Sequence, residues 1–248
     1  MTLHYHGTPI TPARALLQLT GRCFCVSHAR PDQVRQVHSI GQSVLLDNGA
    51  YSKWREKLRK MEQARISGCI EASVVDGEIQ IDWSSYYDWC EEWLGYPTTW
   101  AIIPDVIDGG SQLQDALVRE WPFGHRGAPV WHMDEPLHRL LALCDAWPKV
   151  CIGSTAEYRV VLSDPWRRRM DECWNALAGR HRHMPWVHML RGMQCSGMGW
   201  PFASVDSTDI AQNHNRPQNT PRAMADRWDA AQCPGAWQPR PEQLELVA

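Results

Sequence analysis

Short apolar runs recur along the chain between longer stretches whose apolar residues repeat every three or four positions, and this alternation restricts the fold most strongly. The strand candidates are Cys23–Ser27, Ser43–Asp47, Thr99–Pro104, Pro129–Met133, Val150–Gly153, Trp186–Leu190 and Phe202–Asp206. Helix-like segments separate several of them, at Gln112–Glu120, Leu137–Ala146, Ala156–Leu162 and Pro165–Ala178. Strands alternating with helices imply right-handed βαβ units and a parallel sheet. An eighth, weaker strand is expected near the start or before the C-terminus, which favours an α/β fold of the (β/α)8 TIM type. At 248 residues the chain suits a single barrel domain, with a core over about 20–216 and a Pro- and Gln-rich tail, 217–248, packed on it. "VVDGEIQID" at 74–82 reads as a small β-hairpin inserted in one connection, because Asp76-Gly77 lies between β-prone residues.

Composition excludes some classes. Hydrophobic residues make up 44% and charged residues 21%, so neither disorder nor a membrane protein is indicated. The N-terminal stretch lacks a signal-peptide apolar core, and the expected location is cytoplasmic, in a host cytoplasm if the origin is a phage. Nine scattered cysteines fit a reducing compartment and packing as free thiols. A net charge of −3 argues against binding nucleic acid through overall charge, yet cations cluster in "KWREKLRK" at 53–60, "WRRR" at 166–169 and "RHRH" at 180–183. Such clusters also arise as solvated helix faces.

In a barrel of this type the residues just past each strand point into one shared bowl. The rim then holds Asp47-Asn48-Gly49, Pro104-Asp105-Val106, His132-Met133-Asp134, Gly153-Ser154-Thr155, Arg191-Gly192 and Asp206-Ser207. Any single Asp there has an ordinary explanation as a turn or helix cap. As a set, they gather carboxylates, an imidazole and glycine turns at one end of the molecule.

"LLDNGAYS", "IIPDVIDGG", "VCIGSTAEY", "HMLRGM" and "FASVDSTD" occur in the order and spacing of the tRNA-guanine transglycosylase superfamily. The chain most resembles its short phage members, the 7-deazaguanine DNA transglycosylases. The resemblance implies exchange of guanine in DNA for a free 7-deazaguanine base, preQ0-like, with no cofactor. Asp206 falls at the nucleophile position, where a carboxylate would attack the anomeric carbon and hold the sugar as an ester. Asp47 matches the second acid, which would protonate departing guanine and deprotonate the incoming base. Asp105 would accept the two adjacent N–H donors of the guanine edge. The backbone N–H groups of Gly153 and Ser154 would meet its carbonyl, and His132, Asn48, Gly49 and Met189 would complete the base pocket. Phosphate contacts are expected from Lys53, Arg55, Lys57, Arg59, Arg167, Arg168, Arg169, Asn215 and Arg216, with Trp54 and Trp200 as stacking candidates.

The tRNA enzymes of this superfamily carry a zinc site of three cysteines and a histidine after the nucleophile. Downstream of Asp206 this chain has only Cys233 and His214, so no metal is expected, and DNA is favoured over tRNA. Three rivals stand beside this expectation. They are a tRNA-guanine transglycosylase, a metal-dependent barrel hydrolase using His132, Asp134, His138, His181, His183 and Asp206, and a non-catalytic nucleic-acid-binding subunit.

Overall fold

The computed structural model describes residues 1–66 and 82–240. The hairpin expected at 74–82 thus lies almost wholly outside the described residues, as do the last eight of the tail. Among the described residues nine strands are formed: β1 Leu3–Gly7, β2 Cys23–Ser27, β3 Ser43–Asp47, β4 Thr99–Ile102, β5 Gly127–Ala128, β6 Val130–His132, β7 Val150–Gly153, β8 Val187–Met189 and β9 Ser204–Ser207. All neighbours pair in parallel, in the order β5-β4-β3-β2-β1-β9-β8-β7-β6. The two ends of that order, β5 and β6, are separated in the chain by Pro129 alone. The sheet therefore curls back on itself into a nearly closed barrel flanked by helices, compatible with the TIM type. Proline has no N–H for the ladder, which accounts for a break at that point, while its carbonyl still accepts from the Cys151 N–H at 2.8 Å.

The helices are α1 Ala13–Leu16, α2 Val34–Ile40, α3 Ala50–Ile66, α4 Ser84–Trp93, α5 Gly110–Glu120, α6 Leu137–Ala146, α7 Asp164–Arg180, α8 Asp209–Asn213 and α9 Pro221–Ala230. Ala156–Leu162, expected as a helix, forms only one 3-10 turn at Ala156–Tyr158 followed by a tight turn. The missing strand is β1, between β2 and β9, so the barrel begins upstream of the expected core at residue 20. α9 buries Met224 and Ala225, and beyond it Cys233 and Trp237 are buried in the apolar layer shared with α7.

Strand alternation sorts the side chains into two layers. Tyr5, Cys23, Cys25, Leu45, Trp100, Ile102, Ala128, Val130 and Cys151 fill the interior. Phe24, Val26, Val44 and Leu46 face out against α2, α4 and the N-terminal segment, and Val150, Ile152, Val187 and Met189 face out against α6 and α7. The Cys23-Phe24-Cys25 triplet is thus split between the layers, two thiols inside and a ring outside. The interior parity carries upward to the rim, where Ser27, Asp47, His132, Gly153 and Asp206 line a cavity of about 740 Å³.

Candidate active site

Asp47, the last residue of β3, lies deep in this cavity. Burial pushes its carboxyl up to about 6, partly offset by Ser27, and the negative charges of Asp206 and Asp105 add to the rise. Behind it the chain turns through Asn48 and Gly49, with Gly49 at φ 75°, in the left-handed region where a side chain is strained.

Asn48 lines the cavity with its amide engaged by the protein. Its Oδ1 accepts from the Ala50 N–H at 2.8 Å, and its Nδ2 donates to the Ile103 carbonyl at 3.0 Å and to Asp105 Oδ1 at 2.7 Å. His132 Nε2 donates to the other oxygen, Asp105 Oδ2, at 2.9 Å. Asp105 is only 6% exposed and is therefore held from both sides, each oxygen keeping a further lone pair for a ligand donor. His132 is correspondingly occupied. Burial alone would lower its pKa, but Asp105, Glu135 and Asp134 outweigh that and raise it. Glu135 accepts from the His132 backbone N–H at 2.9 Å and from Arg139 Nη1 at 2.7 Å, fixing the strand end that carries the imidazole. Asn48 and His132, which both line the cavity, thus hold Asp105 from its two sides.

Asp206 is 8% exposed at the end of β9. Its Oδ1 accepts from the Arg191 backbone N–H at 2.7 Å and from His188 Nε2 at 3.2 Å. His188 is fully buried inside the barrel, its Nδ1 2.7 Å from Ser204 Oγ, and the rings of Tyr5, Trp100 and Trp186 surround it. The arrangement leaves Asp206 Oδ2 without a partner among these donors. Cys25 also lines the cavity, but burial and then the charges of Asp206 and Asp47 push its thiol well above the ordinary range, so it stays protonated.

Gly153 and Ser154 line the cavity, with Ser154 Oγ accepting from Trp166 Nε1 at 2.9 Å. Gly153 sits beside the imidazole, a Cβ there meeting His132 Cδ2 at 3.1 Å. Met189 does not belong to the site. It is 0% exposed in the outer apolar layer, because strand parity turns His188 and Leu190 inward instead.

The expected phosphate contacts divide. Arg55 lines the cavity, and Arg59, Arg168, Asn215 and Arg216 are exposed. The side chain of Lys57 lies outside the described residues. Lys53 instead covers the Trp83 ring at 3.9 Å. Arg167 donates to the Leu162 carbonyl at 2.7 Å, and Arg169 donates to the Met133 and Glu135 carbonyls at 2.9 and 2.7 Å. Arg169 therefore ties α7 to the rim. Trp200 is buried on edge against Trp166, with its Nε1 on Asp171, so it stacks on no nucleotide. Trp54 stays partly accessible, stacked on Tyr51 and donating to Asp108.

Sequence reasoning missed Tyr51, whose ring lies under the Arg191 guanidinium at 4.1 Å, together with Ser27, Arg159 and Asp209 of the lining and the buried His188. Period-two counting from Leu190 would have found His188. Among the described residues no group of three or more His, Cys, Asp or Glu could hold a metal ion. The hydrolase set is scattered: His138 and His183 are exposed, and His181 lies 3.6 Å from Asp145 of α6. Nor is any described helix long and apolar enough to cross a membrane. No family model, characterised protein or solved structure matches the chain.

Proposed function

We propose that the chain is a base-exchange transglycosylase that replaces guanine in DNA with a free 7-deazaguanine base through an Asp206–deoxyribose ester. The observation that carries this proposal is the convergence of three carboxyl groups with unlike surroundings in one cavity sized for a nucleoside. Asp105 is clamped as an acceptor, Asp206 has one oxygen held and one open, and Asp47 is pushed up to about 6. Carboxyls with such unlike partners are suited to separate roles.

In the first half-reaction Asp206 Oδ2 attacks C1′ of the nucleotide, forming the ester as the bond to guanine N9 breaks. The proton from Asp47 goes to the departing base, which leaves neutral. In the second, Asp47 takes the N9 proton of the 7-deazaguanine, N9 attacks C1′, and the ester bond breaks to free Asp206. The Arg191 N–H and His188 Nε2 stabilise the carboxylate each time it is negative. Asp105, held by Asn48 and His132, accepts from the ring N–H and exocyclic amine of guanine, a donor pair adenine lacks.

The test is Asp206→Asn, incubated with DNA carrying tritiated guanine and with 7-cyano-7-deazaguanine. Release of label should fall at least 10⁴-fold, while DNA binding changes less than about twofold. An Asp206→Asn protein that releases guanine at the wild-type rate would exclude the mechanism. Release from tRNA alone would retain the two-carboxylate chemistry and reassign the polymer.

A further inference from the structure

We propose that Val160 is an apolar wedge that enters a DNA duplex and occupies the space vacated by the extruded guanine; this rests on the transglycosylase assignment above. A base paired within a duplex hides its C1′, so an enzyme attacking there must draw the nucleotide out and keep the stack from closing behind it. Side chains that do this elsewhere are apolar, project from the surface and sit on rigid supports.

The segment between β7 and α7 has each of these properties. Val160 is 59% exposed, between two neighbours that both line the cavity, Arg159 and Val161. Its carbonyl accepts from the Ser163 N–H at 3.1 Å, closing a tight turn whose third residue, Leu162, stands at φ 68°. A leucine in the left-handed region is uncommon, and turns of this shape usually place glycine there. Tyr158, Val161 and Leu162 pack down on the apolar layer over α7, leaving Val160 as the side chain directed away from it. Arg167 Nε binds the Leu162 carbonyl from below at 2.7 Å, so the turn is braced. Arg159, exposed and lining the cavity, precedes the tip directly, and a polyanion is the partner that suits an apolar point beside a cation at the mouth of a nucleoside-sized cavity. A β-branched side chain on a braced turn loses little conformational freedom on insertion.

The experiment compares Val160→Gly and Val160→Leu with wild type on one guanine-containing strand, presented single-stranded and in duplex. Release of tritiated guanine in the presence of 7-cyano-7-deazaguanine is measured, and 2-aminopurine beside the target guanine reports unstacking. Val160→Gly should lose at least tenfold in kcat/KM on the duplex and less than twofold on the single strand, with the 2-aminopurine rise lost in parallel. Val160→Leu should retain most of the duplex rate. Equal rates for Val160→Gly and wild type on the duplex would overturn the wedge. So would an equal loss on both substrates, which would make the turn a wall of the cavity. Wild-type activity on single strands with none on duplex would overturn it as well, since nothing would then be extruded. No release by wild type from either form would instead remove the transglycosylase assignment on which the wedge depends.

Discussion

Asp47 carries both a chemical and a thermodynamic consequence. Its carboxyl sits at about 6 in the fold against 3.8 for an ordinary aspartate. Between those values the folded protein keeps a proton that the unfolded chain has released. Stability therefore falls as pH rises through that window and stays lower above it, by up to about 3 kcal/mol. Asp47→Asn removes this cost, so the variant should melt higher than wild type at pH 8 and close to it at pH 4, while exchange falls about 10²–10⁴-fold. Thermal melts at the two pH values, paired with kcat, check this; an Asn variant that gains nothing at pH 8 relative to pH 4 would contradict it. His188 acts through Asp206. With Ser204 on Nδ1 the ring keeps its Nε2 proton toward the carboxylate, and His188→Gln, which can still donate, should retain more kcat than His188→Leu. KM for the free base should be unchanged in both, because neither side chain reaches the base, and a matching rise in KM would argue for a general loss of structure.

On α7, cations that look alike in the sequence have different partners. "WRRR" reads as one basic patch, but helical spacing turns successive residues about 100° apart, and Arg169 alone swings under the rim to the Met133 and Glu135 carbonyls. Arg169→Ala should therefore destabilise the fold by about 1–3 kcal/mol in urea melts. Arg168→Ala should leave stability within about 0.5 kcal/mol and reduce the slope of log K against log salt for DNA by about one. Equal effects of the two substitutions on both measurements would refute the division. Strand ends were legible for the same physical reason that these cations were not. β2, β3 and β7 are continuous apolar runs buried on both faces and end where expected, so Asp47 and Gly153 could be placed at the rim from sequence. An arginine's partner depends on which carbonyls a loop elsewhere leaves unpaired, and Met133 lies 36 residues away. Met189 was misplaced because the motif containing it was read as a block and not by alternate residues.

At the scale of the whole molecule, closure depends on the strand hardest to see. β1, "LHYHG", has no apolar run: Tyr5 points into the barrel, while His4 and His6 face outward beneath the C-terminal helices. His4 finds partners in Ser196 Oγ at 2.9 Å and Asp229 at 3.2 Å, contacts supplied by segments some 190 to 225 residues further on and invisible to any local pattern. Inside, the Tyr5 hydroxyl accepts from Trp100 Nε1 at 2.9 Å and meets Ser43 Oγ at 2.9 Å, linking β1 to β3 and β4 across the barrel. β1 hydrogen-bonds β2 on one edge and β9 on the other, and Gly7 and Thr8 line the cavity beside Asp206. Removing residues 2–8 would leave two parallel strand edges unpaired and open the interior to water, which no surface rearrangement of this fold can compensate. The truncated chain should show no cooperative thermal transition and no guanine release, whereas Tyr5→Phe, which removes one interior hydroxyl, should lose about 1–3 kcal/mol and still exchange bases. A truncated protein that melts cooperatively near the wild-type temperature would mean that β2 and β9 close the barrel without β1.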